Sequence, residues 1–269
     1  MRGFRGVLLL VVLVLPGVAS ARQARLEYSV HADRFHVLDA SFRLDLGGAR
    51  YLLEGEAYTT GLLAFFFAYR VSFWSAGMLE DDQVQPGSFG NKGSTSQSQR
   101  RVEMVYDDTG PRVVSLFPGP EADQREPVPE DLRAGTIDPL SAAVLAARRV
   151  DETARCPSTP VRIFDGRRLF TLSFEPVEAP LPADLELPGQ VMPPLVACQL
   201  SAEQQAGHWR GERGRWRFGP FQRREESAEV PTLVWFGRLH RWMPVLPLVL
   251  ERDGGWRILV QLSDLDVPG

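Results

Sequence analysis

Apolar and polar residues alternate with period two along much of the chain. Leu26, Tyr28 and Val30 alternate with Glu27 and Ser29, and Leu38, Ala40, Phe42, Leu44 and Leu46 alternate with Asp39, Ser41, Arg43 and Asp45. Successive side chains of a strand point to opposite faces, so these are strands with one wet face. Gly47-Gly48 turns the second into a third over residues 51–59, and Gly61 introduces the densest apolar run, residues 62–74. Read as one strand, that run puts Phe65, Phe67, Tyr69 and Phe73 on a shared core face. Residues 86–99 are rich in glycine, serine and glutamine, and predict a mobile loop. Strands resume at 101–106, 112–117, 161–164, 169–174, 195–200, 233–239, 245–250 and 256–262, with two proline-rich crossings between them. Pro244 and Pro247 would remove ladder hydrogen bonds from a central strand, so their segment is expected near an edge.

One stretch breaks the period. In Ile137-Asp138-Pro139-Leu140-Ser141 the Asp can accept from the free N–H groups of a first helical turn, and Pro at the first helical position lacks a donor that would go unused. Leu140, Ala143, Val144 and Ala147 then recur at helical spacing, with Arg148 and Arg149 placed to suit the C-terminal end of the dipole. The spacing predicts a helix over 139–149 whose small stripe lets it approach a sheet closely. Beyond it, Asp165-Gly166 separates two strand-like runs and suits the positive φ of a tight hairpin.

Composition adds a compartment. Arg2 and Arg5 precede an apolar run over residues 7–15, followed by Ala19-Ser20-Ala21. This predicts a secretory signal peptide over 1–21, a single β-rich domain over 22–269 and a periplasmic location. The run is too short to span a bilayer, and no later apolar segment is longer without charge or proline, so no transmembrane segment is expected in the mature chain. The formal net charge of −4, more negative once Arg2 and Arg5 are removed, disfavours a nucleic-acid partner. Cys156 and Cys198 are the only cysteines. In an exported chain the simplest reading is one disulfide, with two buried free thiols as the alternative. A metal site is disfavoured, because no histidine or second cysteine stands at ligand spacing from either.

Catalytic motifs are absent: there is no nucleophile elbow, phosphate loop, dinucleotide fingerprint, zinc-helix motif or paired-cysteine motif. No cofactor is implied. His31, His36, His208 and His240 show no pairing pattern, and Asp138 and Asp165 are accounted for as cap and turn. Ser141 has no base that spacing can assign. Residues 208–224 interleave arginines with Trp209, Trp216, Phe218 and Phe221. Arg215 and Arg217 there read either as an anion site or as the outward face of a strand.

The order of a β-rich first half, Gly135-Thr136-Ile137-Asp138-Pro139-Leu140-Ser141, Cys156, Phe164-Asp165-Gly166-Arg167-Arg168, a second cysteine and a closing hairpin resembles a family of Gram-negative envelope proteins, domain of unknown function 3108. The resemblance covers nearly all of the mature chain; it implies location and no established activity. More distantly, the layout is similar to the half-barrels of the periplasmic lipoprotein carrier and its outer-membrane receptor, in which a curved sheet wraps an apolar cavity.

The expectation is therefore an all-β, mainly antiparallel protein of about a dozen strands, a curved sheet or half-barrel plugged by one short helix. Functionally, a non-enzymatic envelope protein holding a lipid or a partner's apolar segment competes with a structural or interaction module whose core is filled. A carboxylate-based hydrolase of an envelope polymer is a third alternative. Exported protein should begin near Arg22 by intact mass; retention of Met1 would contradict the leader.

Overall fold

The computed structural model describes residues 22–80, 83–95, 98–210, 231–241 and 243–267. Among the described residues thirteen strands form one sheet in the order β7-β6-β5-β4-β3-β2-β1-β13-β12-β11-β10-β9-β8. Every neighbouring pair is antiparallel. The first seven strands are β1 (Arg22–Ala32), β2 (Phe35–Gly47), β3 (Arg50–Thr59), β4 (Tyr69–Glu80), β5 (Gln83–Thr95), β6 (Gln99–Asp107) and β7 (Gly110–Phe117). After the interior helix come β8 (Val161–Phe164), β9 (Leu169–Pro176), β10 (Met192–Ala206), β11 (Thr232–Arg238), β12 (Leu246–Asp253) and β13 (Arg257–Asp266). The last strand pairs with the first, so the two ends of the sheet are β7 and β8, strands from the middle of the chain. The result is a nearly closed barrel with one unsealed seam.

The chain segment between those two edges fills the interior. Helix α2 (Pro139–Thr153) buries Ala142 and Leu145 against Tyr51, Val84, Val161 and Ile163. Its next turn buries Ala146 and Val150 against Cys198, Val234, Phe236 and Val245. Cys156 and Cys198 are bridged, with Cα atoms 5.9 Å apart, which ties the exit of the helix to β10. Closing a loop of 42 residues stabilises the fold by about 4 kcal/mol on chain-entropy grounds.

Five expectations are corrected. Residues 62–74 are not one strand: Gly61–Phe66 form a short helix, α1, and β4 starts at Tyr69. The register ends with Tyr58 opposite Arg70, so the residues between must make the connection, and they coil into one turn through Phe67 N–H to Leu63 C=O at 2.8 Å. Residues 86–99 are mostly strand β5, because small residues there make room for neighbours. A Cβ on Gly90 would lie 2.0 Å from the Trp74 ring, while Phe89 is core. Helix α2 runs four residues past Arg149, to Thr153, and ends on Ala154 in the left-handed region at φ 53°, so Arg148 and Arg149 are not in its last turn. Of the stripe Leu140, Ala143, Val144 and Ala147, only Ala147 is buried, because the packed side of the helix is the adjacent one. Finally, β12 lies between β11 and β13 and is no edge; Pro247 falls at a bulge opposite Phe236, where the ladder is already irregular.

The seam is bridged by side chains and loop backbone. Ile137, just before α2, pairs in parallel with Ile163 of β8, donating to Arg162 C=O at 3.1 Å and accepting from Phe164 N–H at 3.0 Å. From the β8–β9 turn, Arg167 reaches over to the opposite edge. It donates to the Phe117 carbonyl at 2.7 Å and forms an ion pair with Asp123, both side chains being almost enclosed. Burial pulls the Arg167 guanidinium down to about 10, which still leaves it charged at neutral pH. Gly166 is required here, since its φ is +88° and a Cβ would lie 2.1 Å from Val102 of β6. Arg167→Met would strand Asp123 and should cost about 3–5 kcal/mol, read as a fall in the urea midpoint. Replacing Asp123 by Leu in the same chain should recover part of the loss.

Candidate functional site: an apolar cavity under the helix

The adjacent stripe of the helix faces a cavity of about 320 Å3. Leu140, Ala143, Val144, Ala147 and Arg148 of α2 form one wall. The sheet supplies Leu26 and Tyr28 from β1, Ala40, Phe42, Leu44 and Leu46 from β2, Leu53 from β3, Val234 from β11, Leu246, Pro247, Val249 and Leu250 from β12, and Val260 from β13. Alternation in β2 produces this wall directly, since Ala40, Phe42, Leu44 and Leu46 are the inward set of a period-two strand. Few polar groups reach the cavity. The Tyr28 hydroxyl is committed to Pro247 C=O at 2.9 Å, and burial raises its pKa. Arg148 bonds Glu152 at 3.2 Å and is the one charged residue of the lining among the described residues.

A buried polar cluster holds the helix over this cavity. Asp138 caps α2 by accepting from Leu140 N–H and Ser141 N–H, each at 3.0 Å, through one oxygen. Its other oxygen accepts from the Ser141 hydroxyl and from Ser75 of β4, the latter at 3.2 Å. Tyr51 of β3 completes the set at 2.6 Å from Ser141 and 3.3 Å from Ser75. Asp138, Ser141 and Ser75 are fully buried, so these groups act on one another and pin the helix start to β3 and β4. Burial pushes the Asp138 carboxyl above its usual range, against the opposing pull of its hydrogen-bond donors. The buried Tyr106 hydroxyl nearby lacks a well-formed hydrogen bond, and burial followed by the Asp138 charge raises its pKa.

The residues singled out from sequence are distributed differently from the expectation. Asp138, Pro139, Leu140 and Ser141 do form the helix start, and Asp165-Gly166 do turn β8 into β9, with Asp165 accepting from Arg167 N–H at 2.9 Å and Arg168 N–H at 2.7 Å. Of the four aromatics placed on one face, Phe73 stands behind the cavity wall, over Gly55 and 5.1 Å from the Phe42 ring. Tyr69 is at the start of β4, and Phe65 and Phe67 are exposed at the end of the barrel, because the connection between β3 and β4 turns them outward. Arg215 and Arg217 lie outside the described residues. His31 and His36, unpaired in the sequence reading, face each other across β1 and β2 with rings stacked 5.1 Å apart. Tyr51 and Ser75 were missed. A serine inside the inward set of β4 was the only available signal, since a hydroxyl at a core position implies a buried partner.

A second cavity, about 280 Å3, follows the seam between β7 and the β8–β9 turn. Its buried charges, Asp123 and Arg167, are spent on each other.

Residues 27–179 match the family model described as a protein of unknown function, DUF3108. The chain belongs to the DUF3108 family. The matched region runs from β1 to just past β9, so it holds the Asp138 cluster, the Arg167 clasp and Cys156, while Cys198 and the strands from β10 onward lie beyond it. No curated protein matches. Among solved structures, the chain is similar to a beta-barrel-like protein of domain of unknown function DUF1849 from Brucella abortus, at 13% identity and TM-score 0.48, over 92% of this chain and 98% of that one. Among the described residues no helix is long and apolar enough to cross a membrane, and no group of three or more acidic, histidine or cysteine side chains could hold a metal ion.

The Asp138 cluster yields a test in two parts. Asp138→Ala removes the cap, worth about 1 kcal/mol, and leaves two buried hydroxyls short of an acceptor, worth about 1–3 kcal/mol; Asp138→Asn keeps a capping oxygen and should cost less. Because the folded chain holds the Asp138 proton more firmly than the unfolded chain, wild-type stability falls as pH rises from the ordinary aspartate range through the raised folded pKa. The wild-type advantage over Asp138→Asn in urea should therefore shrink as pH rises and then level off. An advantage that grows with pH would mean that the donors outweigh burial.

Proposed function

We propose that this DUF3108 protein is an exported, non-enzymatic envelope protein that holds one alkyl chain of a lipid in the cavity between α2 and the sheet. The single observation that carries the reading is that cavity: about 320 Å3, lined almost wholly by aliphatic and aromatic side chains, and bounded by the exposed Ala143 at its mouth. Its volume stands at the lower end of the range for small-molecule sites, which suits a single chain better than a ring system. The Cys156–Cys198 bridge and the leader expected over residues 1–21 support the exported location. The enclosure of Asp138 and Ser141 supports a structural role for the helix-start motif over a catalytic one.

The competing reading is a structural or interaction module whose empty space is incidental packing. Titration of the mature protein with the fluorescent fatty acid cis-parinaric acid separates the two. Binding should raise the probe's emission, and Ala143→Trp, which fills the mouth from an exposed helix position, should weaken binding by about tenfold, the scale of 1.4 kcal/mol, without moving the urea midpoint. Absence of binding to the wild-type protein would leave the structural module.

A further inference from the structure

Helix α1 presents large apolar side chains to solvent. Leu62 is 78% exposed, Phe65 85%, Phe66 81% and Phe67 51%. Scattered exposed apolar residues are ordinary, but four on one short connection form a patch that calls for an occupant. The connection is held in place. Thr60 N–H bonds Val37 C=O at 3.0 Å, the Thr59 hydroxyl donates to Phe67 C=O at 2.9 Å, and the same oxygen accepts from Tyr69 N–H at 3.0 Å. These bonds hold the rings outward, away from the interior.

The placement of the other exposed rings is a second observation. Phe35 follows the β1–β2 turn, Phe117 ends β7, Trp209 follows β10 and Trp256 precedes β13. By the strand directions of the antiparallel sheet, all of these positions lie on the rim that carries α1. Every exposed Phe and Trp among the described residues is therefore on one rim; near the opposite rim the large apolar side chains exposed among those residues are Met78 and Leu195. Rings of this kind concentrate where one side of a surface is apolar and the other wet, as at a bilayer interface. Exposed cations stand among them: Arg34 lies 5.2 Å over the Phe35 ring, Arg70 stands 4.9 Å over Tyr58, and Arg100 is close enough to Tyr69 to lower its pKa against the larger effect of burial. The nearby carboxylates are engaged, Glu56 with Arg70 at 2.7 Å, Asp39 with His36 at 2.6 Å, and Asp33 with Arg257 N–H at 2.9 Å.

We propose that this rim is a membrane-docking surface, in which Leu62, Phe65 and Phe66 enter the interfacial layer of a bilayer while Arg34 and Arg100 face anionic headgroups. The proposal goes beyond the cavity reading and does not rest on it. Apolar insertion with a cationic surround makes attachment reversible and stronger on acidic lipid.

Flotation of the mature protein with vesicles of phosphatidylcholine, alone or mixed with phosphatidylglycerol, tests it. Wild type should float with both and more strongly with the mixture. Phe65→Ser/Phe66→Ser should reduce partitioning about tenfold or more, while Met78→Ser on the opposite rim should float like wild type. The double variant should keep the wild-type urea midpoint, which shows the barrel intact whether or not the cavity reading holds. Wild type that stays with the soluble fraction on both vesicles, or a double variant that floats undiminished, overturns the proposal. Self-association that the double variant abolishes, without vesicle binding, overturns it in favour of a second copy of the chain.

Discussion

A thirteen-stranded antiparallel sheet that nearly closes on itself encloses more space than its own inward side chains fill, and α2 must be fixed inside it at one depth. Asp138 is the group that does this. One carboxylate oxygen satisfies N–H groups at the helix start, and the other is shared with hydroxyls from the helix and β4, with Tyr51 of β3 completing the cluster. A buried carboxylate is costly unless its acceptors are met, so the helix is held where those donors converge. At the other end the Cys156–Cys198 bridge sets the second anchor, on β10. Helix and barrel are joined at two points on distant strands, β4 and β10.

That suspension explains how one small helix can have two apolar faces. Ala142, Leu145, Ala146 and Val150 lie on packed core, whereas Leu140, Ala143 and Val144 line the cavity, with Leu140 and Val144 also touching the core residues of β1, β2 and β12. Alanine at 142 and 146 lets the helix close on one side, and the anchors keep it from moving across to close on the other. The lining of the cavity that remains offers water almost no hydrogen bonds.

The topology places the barrel's weakest line in the middle of the chain. First and last strands pair with each other, so β7 and β8 are left as edges, and the chain between them both crosses the interior and covers the gap. Arg167 acts at that line as a multidentate donor to carbonyls and to Asp123 from the opposite side. An edge covered by loop backbone and a buried arginine is protected from pairing with another chain in a way that an exposed edge is not.

The elements whose signals are local were legible in the sequence. Period-two alternation located most strands, Gly47-Gly48 and Asp165-Gly166 located turns, and Asp138-Pro139 located the helix start, because each depends on backbone preferences of a few adjacent residues. Two cysteines in a chain read as exported were enough to expect the bridge. Tertiary structure decided the rest. Whether residues 62–66 extend a strand or coil depended on where β3 stops pairing with β4, and the glycine-rich residues 86–95 became a strand because Trp74 needed the room above Gly90. Which face of α2 packs and which lines a cavity depended on anchors 63 residues away at Ser75 and 42 residues away at Cys198. Local pattern shows which positions are apolar; only the meeting of distant strands determines whether an apolar position is filled, left facing a void or turned out to solvent.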